Sequence, residues 1–130
     1  MKRILLIDDD KVSNFINERL ISNSGVAEQL NVCISAISGL KLLNDCIESA
    51  PEQIPEIILL DIKMPVMDGF GFLEEFKKLP ASFTEGIKIA MLTSSLEEND
   101  MQRSFQYENV IDFINKPLSD VKIRELLNKI

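Results

Sequence analysis

The stretch Ile57-Ile58-Leu59-Leu60-Asp61-Ile62-Lys63-Met64-Pro65-Val66-Met67-Asp68-Gly69 runs directly into Phe70-Gly71-Phe72-Leu73-Glu74-Glu75-Phe76-Lys77-Lys78. Ile57–Leu60 is a short, unbroken apolar run, as expected of a strand buried on both faces of a parallel sheet. Gly69–Lys78 carries Phe72, Leu73 and Phe76 at helical spacing. Strand, turn and helix follow one another, and Asp61 stands where the chain leaves the strand.

The same alternation continues in both directions. Strands are predicted at Arg3–Ile7, Gln29–Ile34, Lys88–Leu92 and Val110–Ile114. Helices are predicted from Lys11 to about Asn23, and over Ser38–Ser49, Glu97–Tyr107 and Asp120–Lys129. Val12, Ile16 and Leu20 form the apolar stripe of the first, with Phe15 beside them. Leu42, Leu43, Cys46 and Ile47 serve the second, Met101 and Phe105 the third. Ile123, Leu126 and Leu127 serve the last, behind an N-cap at Ser119. Pro80–Gly86 reads as a solvated loop. Strands alternating with helices imply an α/β fold, a doubly wound five-stranded parallel sheet covered on both faces. Function in such sheets gathers beyond the carboxyl ends of the strands. Asp8-Asp9-Asp10, Asp61, Thr93 and Lys116 end the first, third, fourth and fifth strands, so all fall at one edge.

A chain of 130 residues is expected to form a single domain over 1–130 with a real core. No apolar run approaches the roughly 20 residues that span a bilayer, so no membrane insertion and a cytoplasmic location are expected. Fourteen basic against 21 acidic side chains give a net charge of −7, which repels phosphate backbones and argues against direct nucleic-acid binding. Histidine is absent, which removes Ser-His-Asp and Cys-His catalysis and His-ligated metals together. Cys33 and Cys46 follow no metal or redox spacing and read as buried free thiols.

The carboxylates set the chemistry. Two like charges ~5 Å apart repel by roughly 3 kcal/mol at an effective dielectric of ~20. A cluster of Asp8, Asp9 and Asp61 therefore raises a pKa or recruits a cation, and an all-oxygen donor set suits Mg²⁺. Asp10 reads as an N-cap only. Lys116 with Mg²⁺ would bring three carboxylates near neutrality, leaving room for a phosphoryl group of roughly −2 charge. Thr93 either satisfies a turn, caps the segment starting near Leu96, or bonds a phosphoryl oxygen that is present only part of the time.

Ile4–Asp10, Leu59–Gly69, Met91-Leu92-Thr93-Ser94 and Phe113-Ile114-Asn115-Lys116-Pro117 resemble, in order, the motifs of response-regulator receiver domains of two-component signalling. The Asp-x-x-Met-Pro-x-Met-Asp-Gly segment is highly specific by itself, and the likeness covers essentially the whole chain. It is similar to the stand-alone, chemotaxis-type subset. The resemblance implies a flavodoxin-like (βα)5 fold of strand order 2-1-3-4-5. It implies that Asp61 accepts a phosphoryl group from the phosphohistidine of a sensor histidine kinase or a histidine phosphotransfer protein. Asp9, Asp61 and the backbone carbonyl of Lys63 would ligate Mg²⁺ (or Mn²⁺), with Asp8 acting mainly through water. Lys116, Thr93 and the backbone N–H of Ser94 would bind the phosphoryl group, and Lys116-Pro117 would be cis. Thr93 and Phe113 would form the switch, and Lys63 and Ser95 would tune phosphoryl lifetime. The first helix would meet the phosphodonor, by way of Asn14 and Phe15 unless Phe15 is core. Glu97–Tyr107, Val110–Ile114 and Asp120–Lys129 would present the output face to an unknown downstream protein, as a monomer or a phosphorylation-dependent dimer.

Four positions depart from that pattern. Phe113 stands where Tyr is common. Asn109 stands where Gly is usual and would take the left-handed conformation a helix end demands. Val110 replaces a usual Ala. Lys63 is a long cation that either shields a phosphate or points into solvent. Two rivals remain. A haloacid-dehalogenase-type phosphatase is formally allowed by Asp8-x-Asp10, but 130 residues leave no room for a cap domain. A phosphorylation-independent binding module would be expected to have lost an acidic residue, the Thr or the Lys, and all are present.

Overall fold

The structure, a computed structural model, describes residues 2–95 and 97–130. Its strands are β1 (Lys2–Ile7), β2 (Ala27–Cys33), β3 (Ile57–Asp61), β4 (Lys88–Thr93) and β5 (Val110–Asn115). Its helices are α1 (Lys11–Ser24), α2 (Ala36–Ser49), α3 (Gly69–Phe76), a short α4 (Ala81–Thr84), α5 (Glu98–Ser104) and α6 (Asp120–Leu127), with a 3-10 turn at Pro51–Gln53. The sheet is parallel throughout and ordered β2-β1-β3-β4-β5, the flavodoxin-like arrangement.

Alternation along the buried strands sorts the core into two layers. Leu5, Ile7, Ile58, Leu60, Ile89 and Met91 face α2 and α3, where Leu43, Phe72, Leu73 and Phe76 complete the packing. Ile4, Leu6, Ile57, Leu59, Ala90 and Leu92 face the other way, toward Ile21 of α1 and Ile123 and Leu126 of α6. Each of the Ile, Leu, Met and Phe side chains among these, removed from water, contributes about 1.5–3 kcal/mol. Chain order reverses between β1 and β3, the crevice where sheets of this kind bind ligands.

Several expectations need correction. Val12 and Ile16 do not face the core. They are exposed, as is Phe15, while Asn14, Asn17 and Ile21 point inward. The physical reason lies in the preceding turn: the Asn14 amide donates to the carbonyl of Asp8 at 2.7 Å, which fixes the rotation of α1. Helix α2 starts before Ser38, because Ser35 caps it and exchanges hydrogen bonds with Ser38. Cys33 is buried but Cys46 only half-buried; both are free.

Pro80–Gly86 is not simply a loop, since Ala81–Thr84 makes a helical turn that buries Thr84. Asn109 does not adopt the left-handed conformation; Val66 is the non-glycine residue with positive φ among the described residues. Its amide instead donates to the carbonyls of Thr84 (2.9 Å) and Ile87 (2.8 Å), pinning α4 to the start of β5. Asn109→Gly is therefore expected to destabilise the fold by about 1–3 kcal/mol in urea titrations, at roughly 1 kcal/mol per bond. An unchanged or raised midpoint would mean that the backbone conformation, not the amide, is what matters there.

Candidate functional site

The register brings the strand ends together. Ile7 lies beside Leu60, so Asp8 emerges next to Asp61, and Thr93 pairs with Asn115, the residue before Lys116. Asp8 is fully buried, Asp61 buried and Asp9 exposed. The Lys116 ammonium lies 2.7 Å from Asp8 Oδ2 and 3.2 Å from Asp61 Oδ1, bridging the two carboxylates. The other Asp8 oxygen, Oδ1, accepts from the backbone N–H of Asp10 at 3.0 Å. Asp10 itself does what an N-cap does, accepting from Val12 and Ser13.

Local structure holds these groups from behind. The Lys116 N–H donates to the carbonyl of Thr93 (2.7 Å), and the Lys116-Pro117 bond is cis. Lys122 reaches back from α6 to the carbonyls of Asn115 (2.8 Å) and Pro117 (3.0 Å), clamping the segment that carries Lys116. Below Asp61, the Gly69 N–H donates to the carbonyl of Ile62 at 2.7 Å. A Cβ at Gly69 would lie 2.7 Å from the Asp61 carbonyl oxygen, so only glycine fits. Asp68 caps α3 by accepting from Gly71. Between them the N–H of Met67 donates to Pro65 across Val66, whose φ is 70°. That tight turn on a β-branched residue costs about 1–3 kcal/mol and sits next to the acidic cluster.

Thr93 is buried, and its hydroxyl is engaged with Ser95: it donates to the carbonyl at 2.8 Å and accepts from the N–H at 3.1 Å. It therefore closes a turn rather than capping the next helix; Leu96, near which that segment was expected to begin, lies outside the described residues. Phe113 is buried on the α3 side of the sheet, while Ser94 is exposed. Lys63 is exposed with its ammonium 3.6 Å from Glu97.

Sequence reasoning missed Lys122 and Glu97, and it placed Asn14 on the donor-facing surface of the first helix, whereas Asn14 is buried against the turn after β1. Asn14 had a signal, since it shares a helical face with Ile21, seven residues on. Its side-chain oxygen is buried without a partner.

Burial pushes the Asp61 carboxyl up to about 6, with the nearby Asp8 charge adding to the rise and Lys116 only partly opposing it. Burial also acts to lower the Lys116 ammonium, but its hydrogen bond to Asp8 and the Asp61 and Asp8 charges outweigh this and raise it. Both thiols are pushed up by burial, which keeps them protonated and inert.

Oxygen atoms of Asp8, Asp9 and Asp61 all lie within 4.8 Å of one another. Octahedral Mg²⁺ at 2.0–2.1 Å spaces its ligands ~3 Å (adjacent) to ~4 Å (opposite), so this all-oxygen set fits with small side-chain adjustments. Three carboxylates with one ammonium bridging two of them can hold a divalent cation.

An Asp whose folded-state pKa exceeds its unfolded value favours folding when protonated, and this contribution is lost as pH rises from about 3.8 to about 6. Asp61→Asn is expected to stabilise the metal-free protein at pH 7–8 by up to about 3 kcal/mol. Chemical denaturation should show the gain shrinking as pH falls from 6 toward 4. A gain that is absent at neutral pH, or constant across that range, would refute it.

Comparison with known proteins agrees with this geometry. Residues 4–128 match the response regulator receiver domain. The response regulator VraR of Staphylococcus saprophyticus is 33% identical over 118 residues, covering 88% of this chain and 54% of that protein. This chain spans about half the length of that relative and 30% or less of several others. Among solved structures, a two-component response regulator from Cytophaga hutchinsonii superposes with a TM-score of 0.89 at 28% identity, covering 97% of this chain and 93% of that one. A receiver protein from Dyadobacter fermentans gives 0.83 at 28% identity, with 97% and 94% covered. With the motifs, the strand order and these matches in agreement, the chain belongs to the response regulator receiver domain family.

Proposed function

We propose that residues 1–130 act as a single receiver domain, a phosphorylation-dependent signalling switch in which Asp61 accepts a phosphoryl group. The observation that carries this reading is the Lys116 ammonium bridging Asp8 and Asp61 at the floor of the crevice. An oxygen of Asp61 forms the new bond to phosphorus as the bond to the donor breaks, and the leaving group departs with the electron pair. Asp61 needs no general base for this, only positioning and charge neutralisation. Lys116 supplies part of that charge. Asp9, Asp61 and the Lys63 carbonyl would hold Mg²⁺ (or Mn²⁺), with Asp8 behind them, and the ion would supply the remaining positive charge.

The phosphoryl group would then take the Thr93 hydroxyl away from Ser95 and bond the Ser94 N–H. The two states differ in what Thr93 contacts, which is what a switch requires. Phe113 and the α5–β5–α6 surface would follow, presenting a changed face to a downstream protein. This is signalling rather than turnover of a metabolic substrate.

By its membership of the receiver family, the domain would take its phosphoryl group from a phosphohistidine of a sensor histidine kinase or phosphotransfer protein; these 130 residues contain no histidine. The outward apolar stripe of α1 supports a docking role for that helix. Val12 and Ile16 line a groove of about 330 Å³ that also includes Lys116, Pro117 and Leu118, and Phe15 projects beside it under Arg19.

Acetyl phosphate with Mg²⁺ is expected to label Asp61, detectable by intact-mass and peptide mapping, with no label in Asp61→Asn or with chelator present. A label surviving Asp61→Asn would sink the proposal. Ile16→Asp should slow transfer from a phosphohistidine protein by at least ~10-fold while leaving labelling by acetyl phosphate at the wild-type rate. Equal slowing with both donors would remove α1 from the docking role.

A further inference from the structure

Beyond the carboxyl ends of the adjacent strands β3 and β4, the two loops that follow are joined by an ion pair, Lys63 to Glu97 at 3.6 Å. Glu97 is the N-cap of α5, in extended backbone, yet its side chain makes no capping hydrogen bond. The N-cap side chains of α1, α2, α3 and α6 all make one. Glu97, longer than the Asp and Ser side chains that cap those helices, leaves its carboxylate free for the Lys63 ammonium on the loop after β3.

The backbone connects this pair to Thr93. The carbonyl of Ser95 accepts from both the Thr93 hydroxyl (2.8 Å) and the Glu97 N–H (3.1 Å). If Thr93 leaves Ser95 for a phosphoryl oxygen, the loop carrying Glu97 loses one of the bonds that set its shape. At the same moment a phosphoryl group of roughly −2 charge enters the crevice and competes with a single carboxylate for Lys63. Both side chains are largely exposed, and exposed pairs are weak and salt-screened, which suits a contact that must be exchanged.

We propose that Glu97 is a positioning residue: it holds the Lys63 ammonium off the crevice while Asp61 is unmodified and yields it to the phosphoryl group afterwards. This rests on Asp61 being the phosphoacceptor and adds a named control on how fast the group arrives and how long it stays.

The test is a double-mutant cycle on the full chain, with acetyl phosphate and Mg²⁺ as the probe. Labelling rate and label lifetime are measured for wild type, Glu97→Gln, Lys63→Asn and the double variant. Glu97→Gln should free Lys63, raising the labelling rate and lengthening the lifetime by roughly two- to five-fold each, an effect that fades at high salt. In the Lys63→Asn background the same substitution should change neither quantity. Glu97→Asp, which keeps the charge, should lie closer to wild type. Equal factors in both backgrounds would mean that Glu97 acts merely as a nearby negative charge and would overturn the inference, as would a Glu97→Gln protein indistinguishable from wild type. A wild-type chain that takes no label at Asp61 overturns the underlying reading as well, so the two failures are distinguishable.

Discussion

A single ammonium holds together a set of charges that would otherwise push the sheet edge apart. Lys116 arrives from the end of β5 and reaches Asp8 beyond β1 and Asp61 beyond β3, so one side chain links the sequence-distant ends of the fold. Its charge offsets only one of three clustered carboxylates. Burial holds the Asp61 carboxyl well above the ordinary range, the Asp8 charge adds to the rise, and the lysine in contact opposes them only in part. A site left short of positive charge favours any partner that supplies more, and a divalent cation with all-oxygen ligands is the fitting one. The arrangement is stable enough to persist and unbalanced enough to bind.

The packing around this edge follows from keeping it in place. Strands β1, β3 and β4 are buried on both faces, so their ends move little relative to one another. Gly69 lets the chain return directly beneath Asp61, and Lys122 fixes the segment bearing Lys116 with two hydrogen bonds to backbone carbonyls. Helix α1 shows the same priority. Its inward face carries Asn14, one of whose amide atoms serves the Asp8 carbonyl while the other is left without a partner.

Strand positions and the alignment of Asp8, Asp61, Thr93 and Lys116 were legible in the sequence because both depend on local pattern: short apolar runs, and charged residues where those runs end. The rotation of α1 was not. Val12, Ile16 and Leu20 make a genuine i, i+4 stripe, yet only Leu20 packs against the core, and nothing local distinguishes an apolar position that packs inward from one left for a partner. What decided it was the hydrogen bond of Asn14 to the preceding turn, which no periodicity reports. Asn109 is similar. Its identity suggested a backbone conformation, whereas the structure uses its amide against carbonyls more than twenty residues away. The helical turn at Ala81–Thr84 was hidden because it is shorter than any periodic signal and lies between Pro80 and Gly86.

The contacts of Thr93 support the proposed reading of the site as a switch. Three donors here each have a replaceable partner: the Thr93 hydroxyl has Ser95, Lys63 has Glu97, and Lys116 has two carboxylates. A new anion of roughly −2 charge is a better partner for each of these donors than the one it has. The exchange therefore needs no large rearrangement of the core, only a redistribution of donors among acceptors a few ångströms apart. Since the Ser95 carbonyl is shared between Thr93 and the backbone at the start of α5, the redistribution cannot stay local. In the proposed reading, taking the hydroxyl away would change what holds the entry to that helix, and phosphorylation at Asp61 would reach the surface by that route.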